Sequence, residues 1–297
     1  MNAKMAIETR NLVKNYGAVQ ALRGLDLQVR EGEIYGFLGP NGAGKTTTIR
    51  CLLDSIRPNA GEVRVLGIDP QSDPVAVRAR VGYLPGELAL EGNLKAIDML
   101  QLLNRFRGGQ AKRAFIHELA ERLDLDLNVK IKNLSKGNKQ KIGVIQAFMH
   151  QPELLLLDEP TSGLDPMMQR EVHQFLSDMR DAGATIFFSS HVLSEVEVIA
   201  DRVGIIRTGE LVEVAEPSTL IQRSLLRVEV RFQQPVEVHR LEQVEGVRTL
   251  VQDDGTVIHM EVEGEMDALV KALAEFPVSR IETELPSLEE VFLIYYQ

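Results

Sequence analysis

The sequence predicts an α/β chain: a core of short buried strands and helices over residues 4–221, followed by a smaller α+β unit over residues 222–297. Three observations carry that expectation. Gly39-Pro40-Asn41-Gly42-Ala43-Gly44-Lys45-Thr46 lies between a short apolar run, Glu33–Leu38, and a helix-like run, Lys45–Leu53. Leu154–Leu157 is four consecutive leucines between Pro152 and Pro160, too few for a helix and suited to a central parallel strand buried on both faces. From Leu225 onward the pattern resets to short strands alternating with short helices, the order of an antiparallel sheet with helices packed on one face.

Taken in order, Ala6–Arg10, Val19–Leu22 and Leu25–Arg30 have the apolar content of antiparallel strands, with a turn at Tyr16-Gly17. Glu33–Leu38 is a buried strand and Lys45–Leu53 a helix. Pro58-Asn59-Ala60-Gly61 makes a turn before a strand at Glu62–Leu66, and Val81–Leu84 is a further strand cut off by Pro85-Gly86. Between residues 86 and 150, Leu94–Phe106, Ala111–Leu123 and Lys136–Met149 carry apolar residues at helical spacing, which reads as an inserted helical subdomain. Ser162-Gly163-Leu164-Asp165-Pro166 turns into a helix at Met167–Arg180, and Ala184–Ser189 is the next buried strand. Val203–Arg207 and Glu210–Val214 form a hairpin around Thr208-Gly209, and Glu216-Pro217 opens a short helix. The last quarter then offers strands at Leu225–Phe232, Val247–Gln252, Val257–Val262 and Val278–Glu282. Helices are expected there at Pro235–Leu241, Met266–Phe276 and Ser287–Tyr295.

Composition narrows the function classes. Of 297 residues, 44% are apolar and 26% charged, ordinary for a globular protein. No apolar run approaches the ~20 residues that span a bilayer, and the first ten residues have no hydrophobic segment of a secretory signal. Cys51 is the one cysteine, which rules out an internal disulfide framework and suits a reducing compartment. The net charge is −10, and from Gln222 onward fifteen acids face seven bases, a net of −8. Such a surface repels phosphate backbones and argues against nucleic-acid partners.

The chemistry lies at the strand ends. The Gly39–Thr46 stretch fits G-x-x-x-x-G-K-[ST]. Glycines let successive backbone N–H groups turn toward an anion, and the following helix adds the positive end of its dipole. Lys45 would reach the β- and γ-phosphates, the Thr46 hydroxyl would ligate Mg²⁺, and Pro40, Asn41, Ala43 and Thr47 complete the cradle. Asp158 and Glu159 close the leucine strand where ligands bind in open α/β sheets. Asp158 would hold Mg²⁺ opposite Thr46, and Glu159 would orient or deprotonate the attacking water. His191, just past the next strand, would bond the γ-phosphate or that water. His191 and Glu195 also fall at i, i+4, a metal spacing that lacks a third ligand. Tyr16 either stacks on adenine or packs in its turn. His239 and His259 are solitary, which favours structural roles.

Together these residues resemble the nucleotide-binding subunit of an ATP-binding cassette (ABC) transporter, over roughly residues 4–221. The resemblance rests on Tyr16, the Gly39–Thr46 loop, Asp158-Glu159, the Ser162–Asp165 turn and His191, in the family's order. The family's Leu-Ser-Gly-Gly-Gln signature appears here as Leu134-Ser135-Lys136-Gly137-Asn138. The implied fold is a P-loop NTPase cassette with a RecA-like core, an antiparallel β subdomain and a helical subdomain, then an α+β accessory domain.

The implied cofactors are ATP and Mg²⁺, and the implied activity is ATP hydrolysis that energises export through a separate membrane permease. In the family, Ser135, Gly137, Asn138 and Asp165 would meet the nucleotide of a second copy, giving a C2 homodimer around two ATP molecules. Ser135 would cap the helix that follows it, presenting free N–H groups to that nucleotide. The implied location is the cytoplasmic face of the cell membrane. Export rather than import is implied by the C-terminal Pro286–Phe292 stretch, similar to that of drug, antibiotic and sodium exporter subunits. Two departures stand out: Gly86 occupies the place of the family's usual glutamine, followed by Glu87, and Asn138 replaces the signature's last glutamine. The competing reading, a cassette ATPase acting on ribosomes or DNA, calls for two cassettes, a coiled coil or a zinc insertion. This sequence has one cassette, no heptad run and an unfavourable charge.

Overall fold

The chain opens in a long antiparallel pair, β1 (Met5–Tyr16) and β2 (Val19–Arg30), each 12 residues. The sequence pattern suggests shorter pieces because β-bulges interrupt the alternation. The register slips between Thr9 and Leu12, where Asn11 takes φ 47°, and again beside Val13 and Asn15. Next come β3 (Ile34–Leu38), α1 (Lys45–Leu52) and β4 (Ala60–Val65), which pairs with β1 to complete a three-stranded sheet. A helix not foreseen in the sequence comes next, α2 (Pro74–Arg80), before β5 (Val81–Leu84). The Asp73 side chain accepts a bond from Ala76 N and Pro74 takes the first helical position, the start signal that sets α2 off.

The inserted segment forms α3 (Ala96–Phe106), α4 (Arg113–Arg122) and α5 (Lys136–Phe148). The chain then returns to the core as β6 (Leu154–Asp158), α6 (Pro166–Asp181), β7 (Thr185–Ser190), α7 (Leu193–Ile199), β8 (Arg202–Arg207) and β9 (Glu210–Ala215). β5 and β6, β6 and β7, β7 and β3, and β3 and β8 all run parallel, in a six-stranded sheet ordered β5-β6-β7-β3-β8-β9. Every residue of β3, β6 and β7 is buried, the two-sided cover that parallel strands require. Phe187 sits between Tyr35 and Phe37, with ring centres 5.8 and 5.2 Å away. Burying each such ring contributes about 1.5–3 kcal/mol.

This computed structural model describes residues 4–222, 226–237, 239–253 and 255–284. It divides into two compact units, one ending at Val214 and the other starting at Ala215. The second unit holds α8 (Pro217–Gln222), β10 (Leu226–Phe232), α9 (His239–Glu242), β11 (Val247–Asp253), β12 (Val257–Val262), α10 (Asp267–Leu273) and β13 (Val278–Glu284). Its sheet is antiparallel, ordered β11-β12-β10-β13. Leu241 of α9 and Leu269 and Leu273 of α10 pack on Val228, Val230, Ile258, Met260 and Val262, so the helices cover one face.

The helix expected at Pro235–Leu241 shrinks to the single turn α9. The backbone before it is engaged elsewhere: Phe232 N, Gln233 N and Val236 N donate to Thr256, Pro277 and Gly255 carbonyls, which pins an extended path. The helix expected at Ser287–Tyr295 lies outside the described residues. Among the described residues no helix is long and apolar enough to cross a membrane.

Candidate active site

Sheet register assembles the site. Parallel pairing sets Asp158 beside Ser189 and Leu38 beside Ser190, so β6, β7 and β3 end together. The residues just past these strands therefore meet at one edge: Glu159 after β6, His191 after β7 and the Gly39–Thr46 loop after β3. The loop is locked down at its entry, where Gly39 N donates to Ser190 O at 3.3 Å. A Cβ on Gly39 would lie 2.5 Å from the Ile206 carbonyl oxygen, so no other residue fits that approach. Gly44, the N-cap of α1, takes φ 116°, a conformation that costs L-residues dearly. The first N–H groups of α1 have no acceptor within the helix and point out of its end.

Pro40, Asn41, Gly42, Gly44, Lys45, Thr46, Thr47 and Glu159 line one small cleft of about 140 Å³, with Ala21 at its wall. Lys45 is 6% exposed, and its ammonium donates to the Gly39 and Pro40 carbonyls at 2.6 and 3.2 Å. Burial pushes that ammonium below the usual lysine range, and the Glu159 and Asp158 carboxylates oppose the shift. Thr46 Oγ1 donates to Asp158 Oδ2 at 2.6 Å, and Ser189 Oγ donates to Asp158 Oδ1 at 2.5 Å. Asp158 is 2% exposed, so these two hydroxyls carry the solvation of its charge. Glu159 Oε1 lies 3.0 Å from His191 Nδ1 and 3.9 Å from Lys45 Nζ. Its backbone sits at φ 52°, a strained conformation for a non-glycine residue that only surrounding bonds sustain. Glu159 N donates to the carbonyl and the hydroxyl of Ser189, both at 3.2 Å.

The other sequence-predicted residues lie elsewhere in the same chain. The Ser135 side chain accepts from Asn138 N at 3.2 Å and caps α5. Gly137 passes close to the Ser162–Asp165 turn, where a Cβ would lie 2.9 Å from Gly163 O. The Asp165 carboxylate accepts from Met167 N and Met168 N as the N-cap of α6. Tyr16 does not line the phosphate-loop cleft; it stands half exposed at the end of β1, with Lys14 Nζ 5.3 Å from its ring centre. Gly86 faces the acid of β6, since a Cβ there would lie 3.1 Å from Asp158 Oδ2.

The i, i+4 pairing of His191 with Glu195 dissolves. His191 precedes α7 rather than lying on it, and the Glu195 carboxylate is occupied by Thr161 Oγ1 at 2.5 Å and Ser190 Oγ at 2.8 Å. No group of three or more potential metal-ligating side chains occurs among the described residues. Sequence reasoning missed Ser189 and Gln140, and gave Glu195 a metal reading in place of its bonds to Thr161 and Ser190. Ser189 sits one strand over from Asp158 in register, and a hydroxyl at the end of a buried strand next to an acid-ended strand was the available signal.

The family profile described as "ABC transporter" matches residues 22–162. The bacitracin transport ATP-binding protein BcrA of Bacillus licheniformis is 35% identical over 302 residues, covering 97% of this chain and 96% of its own length. The chain belongs to the ABC transporter family. The daunorubicin/doxorubicin resistance ATP-binding protein DrrA of Streptomyces peucetius is 34% identical, covering 97% of this chain and 91% of its own. A solved structure titled "Structure of ATP binding subunit of ABC transporter" superposes with a TM-score of 0.67 at 27% identity, over 72% of this chain and 91% of that one. The family and fold expected from the motifs are thus borne out. This ABC subunit binds and hydrolyses ATP, and that hydrolysis is coupled to transport.

Proposed function

We propose that two copies of this ABC subunit close around two ATP molecules, each held between one copy's Gly39–Thr46 loop and the other copy's Ser135 helix. In each site Lys45 and the α1 N-terminus bind the β- and γ-phosphates, while Glu159 takes the proton of the attacking water and His191 holds Glu159 in position. Thr46 and Asp158 fit Mg²⁺: both are hard oxygen donors, and their 2.6 Å contact brings them to one point. When bound there, Mg²⁺ would neutralise charge on the phosphate oxygens.

One observation carries this reading. The Glu159 carboxylate is held by His191 at 3.0 Å in the cleft that Lys45 and Thr46 line, beside the Thr46–Asp158 pair. Pairing is supported by the signature's position, since Ser135 and Gly137 line no part of their own chain's cleft. The membrane partner is an integral permease that this chain meets from the cytoplasmic side. Relatives named for bacitracin transport, daunorubicin/doxorubicin resistance and linearmycin resistance support an antibiotic-class compound as the exported species. The test is Glu159→Gln. Turnover falls by roughly 10²–10⁴, the range for a lost general base, and ATP with Mg²⁺ shifts the variant to a dimer on size exclusion. Normal turnover, or a monomer under those conditions, would refute the assignment.

A further inference from the structure

Gln140 lies on the second turn of α5, five residues past the Ser135 cap, and is 7% exposed. Its side-chain amide Nε2 donates to two consecutive carbonyls, Glu159 O and Pro160 O, each at 3.2 Å. The turn it grips is the strained one. Glu159 holds φ 52°, and the bonds that sustain it are Glu159 N to Ser189, Ser162 N to Glu159 O at 3.1 Å, and this amide. Of these, the Gln140 bonds alone come from the inserted helical segment. The rest come from β7 or from the turn itself. Gln140 Nε2 is therefore a bridge between the helix that Ser135 starts and the backbone that aims the Glu159 carboxylate.

We infer that Gln140 is a positioning residue for hydrolysis: it ties the placement of Glu159 to the position of α5 in the same chain. This rests on the proposed roles of Glu159 and of the Ser135 helix end. Because an α-helix moves as a rigid rod over one or two turns, a shift at Ser135 is felt at Gln140 with little loss. When the Ser135 end engages the γ-phosphate held by the second copy, α5 is fixed, and its amide fixes the Glu159–Pro160 peptide on the other side. Each copy's carboxylate is then set by the nucleotide bound to its partner. The two sites fire in concert because an amide reads one and aims the other. Glu195 acts on the neighbouring stretch by a different route, through Thr161 and Ser190.

The test replaces Gln140 with methionine, which keeps length and volume and removes both donors, and with asparagine, whose arm is one methylene too short to reach. Loss of two neutral hydrogen bonds to the turn predicts a drop in kcat of roughly ten- to a hundredfold. KM for ATP, and binding of a fluorescent ATP analogue to the separate chain, stay within about twofold because the phosphate loop is untouched. The deciding measurement is the cycle with Glu159→Gln. A residue that acts through Glu159 adds no further loss in that background, whereas a general packing role lowers both backgrounds alike.

Unchanged kcat in both Gln140 variants, or losses that multiply with Glu159→Gln, would overturn the inference. Normal turnover in Glu159→Gln alone would overturn both the parent reading and this one. A strong effect of Glu159→Gln with none at Gln140 leaves the parent reading standing and removes only the bridge. If the methionine variant does not fold, the asparagine variant carries the same comparison.

Discussion

Replacing Ser189 with alanine isolates one contact on which the site depends. Ser189 Oγ donates to Asp158 Oδ1 at 2.5 Å in a place where the serine is fully buried and the aspartate 2% exposed. A hydrogen bond to a charged group contributes about 1.5–3 kcal/mol, and no water replaces a donor lost at such depth. Thr46 still donates to Oδ2, and Glu159 N keeps the Ser189 carbonyl as an acceptor. The loss therefore belongs toward the lower end, about 2 kcal/mol. In a unit of this size each kcal/mol moves the melting midpoint by about 2–4 °C, so Ser189→Ala melts some 4–8 °C below the parent. Scanning calorimetry without nucleotide is the assay. A midpoint within about 1 °C of the parent would mean that the hydroxyl does not carry the Asp158 charge, and the account of how that acid is held would fail.

The same geometry sets other expectations. Phe187→Ala, which empties the space between Tyr35 and Phe37, costs about 3–5 kcal/mol, measured by denaturant unfolding. Ser135→Ala removes the cap of α5, worth about 1 kcal/mol. It lowers ATPase turnover while leaving nucleotide binding to the separate chain intact, read by paired rate and titration measurements. His150 contributes to the pH dependence of stability. Burial, and then the Arg107 guanidinium 2.9 Å from Nε2, lower its pKa from 6.5 to about 4. A guanidinium only donates, so Nε2 must stay unprotonated to accept. The unfolded chain binds the extra proton first, so this contribution is complete above pH 6.5 and is lost as pH falls toward 4. Its full size is at most roughly 3 kcal/mol. His150→Asn flattens the fall in urea midpoint across that window, and an unchanged slope would exclude His150 as its source.

Much of the cassette is legible in the sequence because its signals are local. The Gly39–Thr46 loop, the four leucines before Asp158 and the helical spacing of the inserted segment each depend on near neighbours in the chain. The misses share the opposite character. In α2 only Val77 is buried, so no apolar face at helical spacing marks the helix that Asp73 and Pro74 start. The spacing of His191 and Glu195 implied a shared helix face, yet α7 begins only at Leu193. Ser189, Glu195 and Gln140 look like ordinary strand and helix residues. Apart from Ser190, five positions before Glu195, their partners stand 19 to 34 positions away, a pairing created by sheet register and helix packing rather than by any motif.

The left-handed backbone at Glu159 has a consequence for how this ATPase tolerates change. The residue best suited to that φ is glycine, so Glu159→Gly relieves strain of order 1–3 kcal/mol while deleting the carboxylate. At this position selection for a sturdier protein and selection for a working one pull in opposite directions. A screen scored on heat resistance alone would drift toward inactive chains.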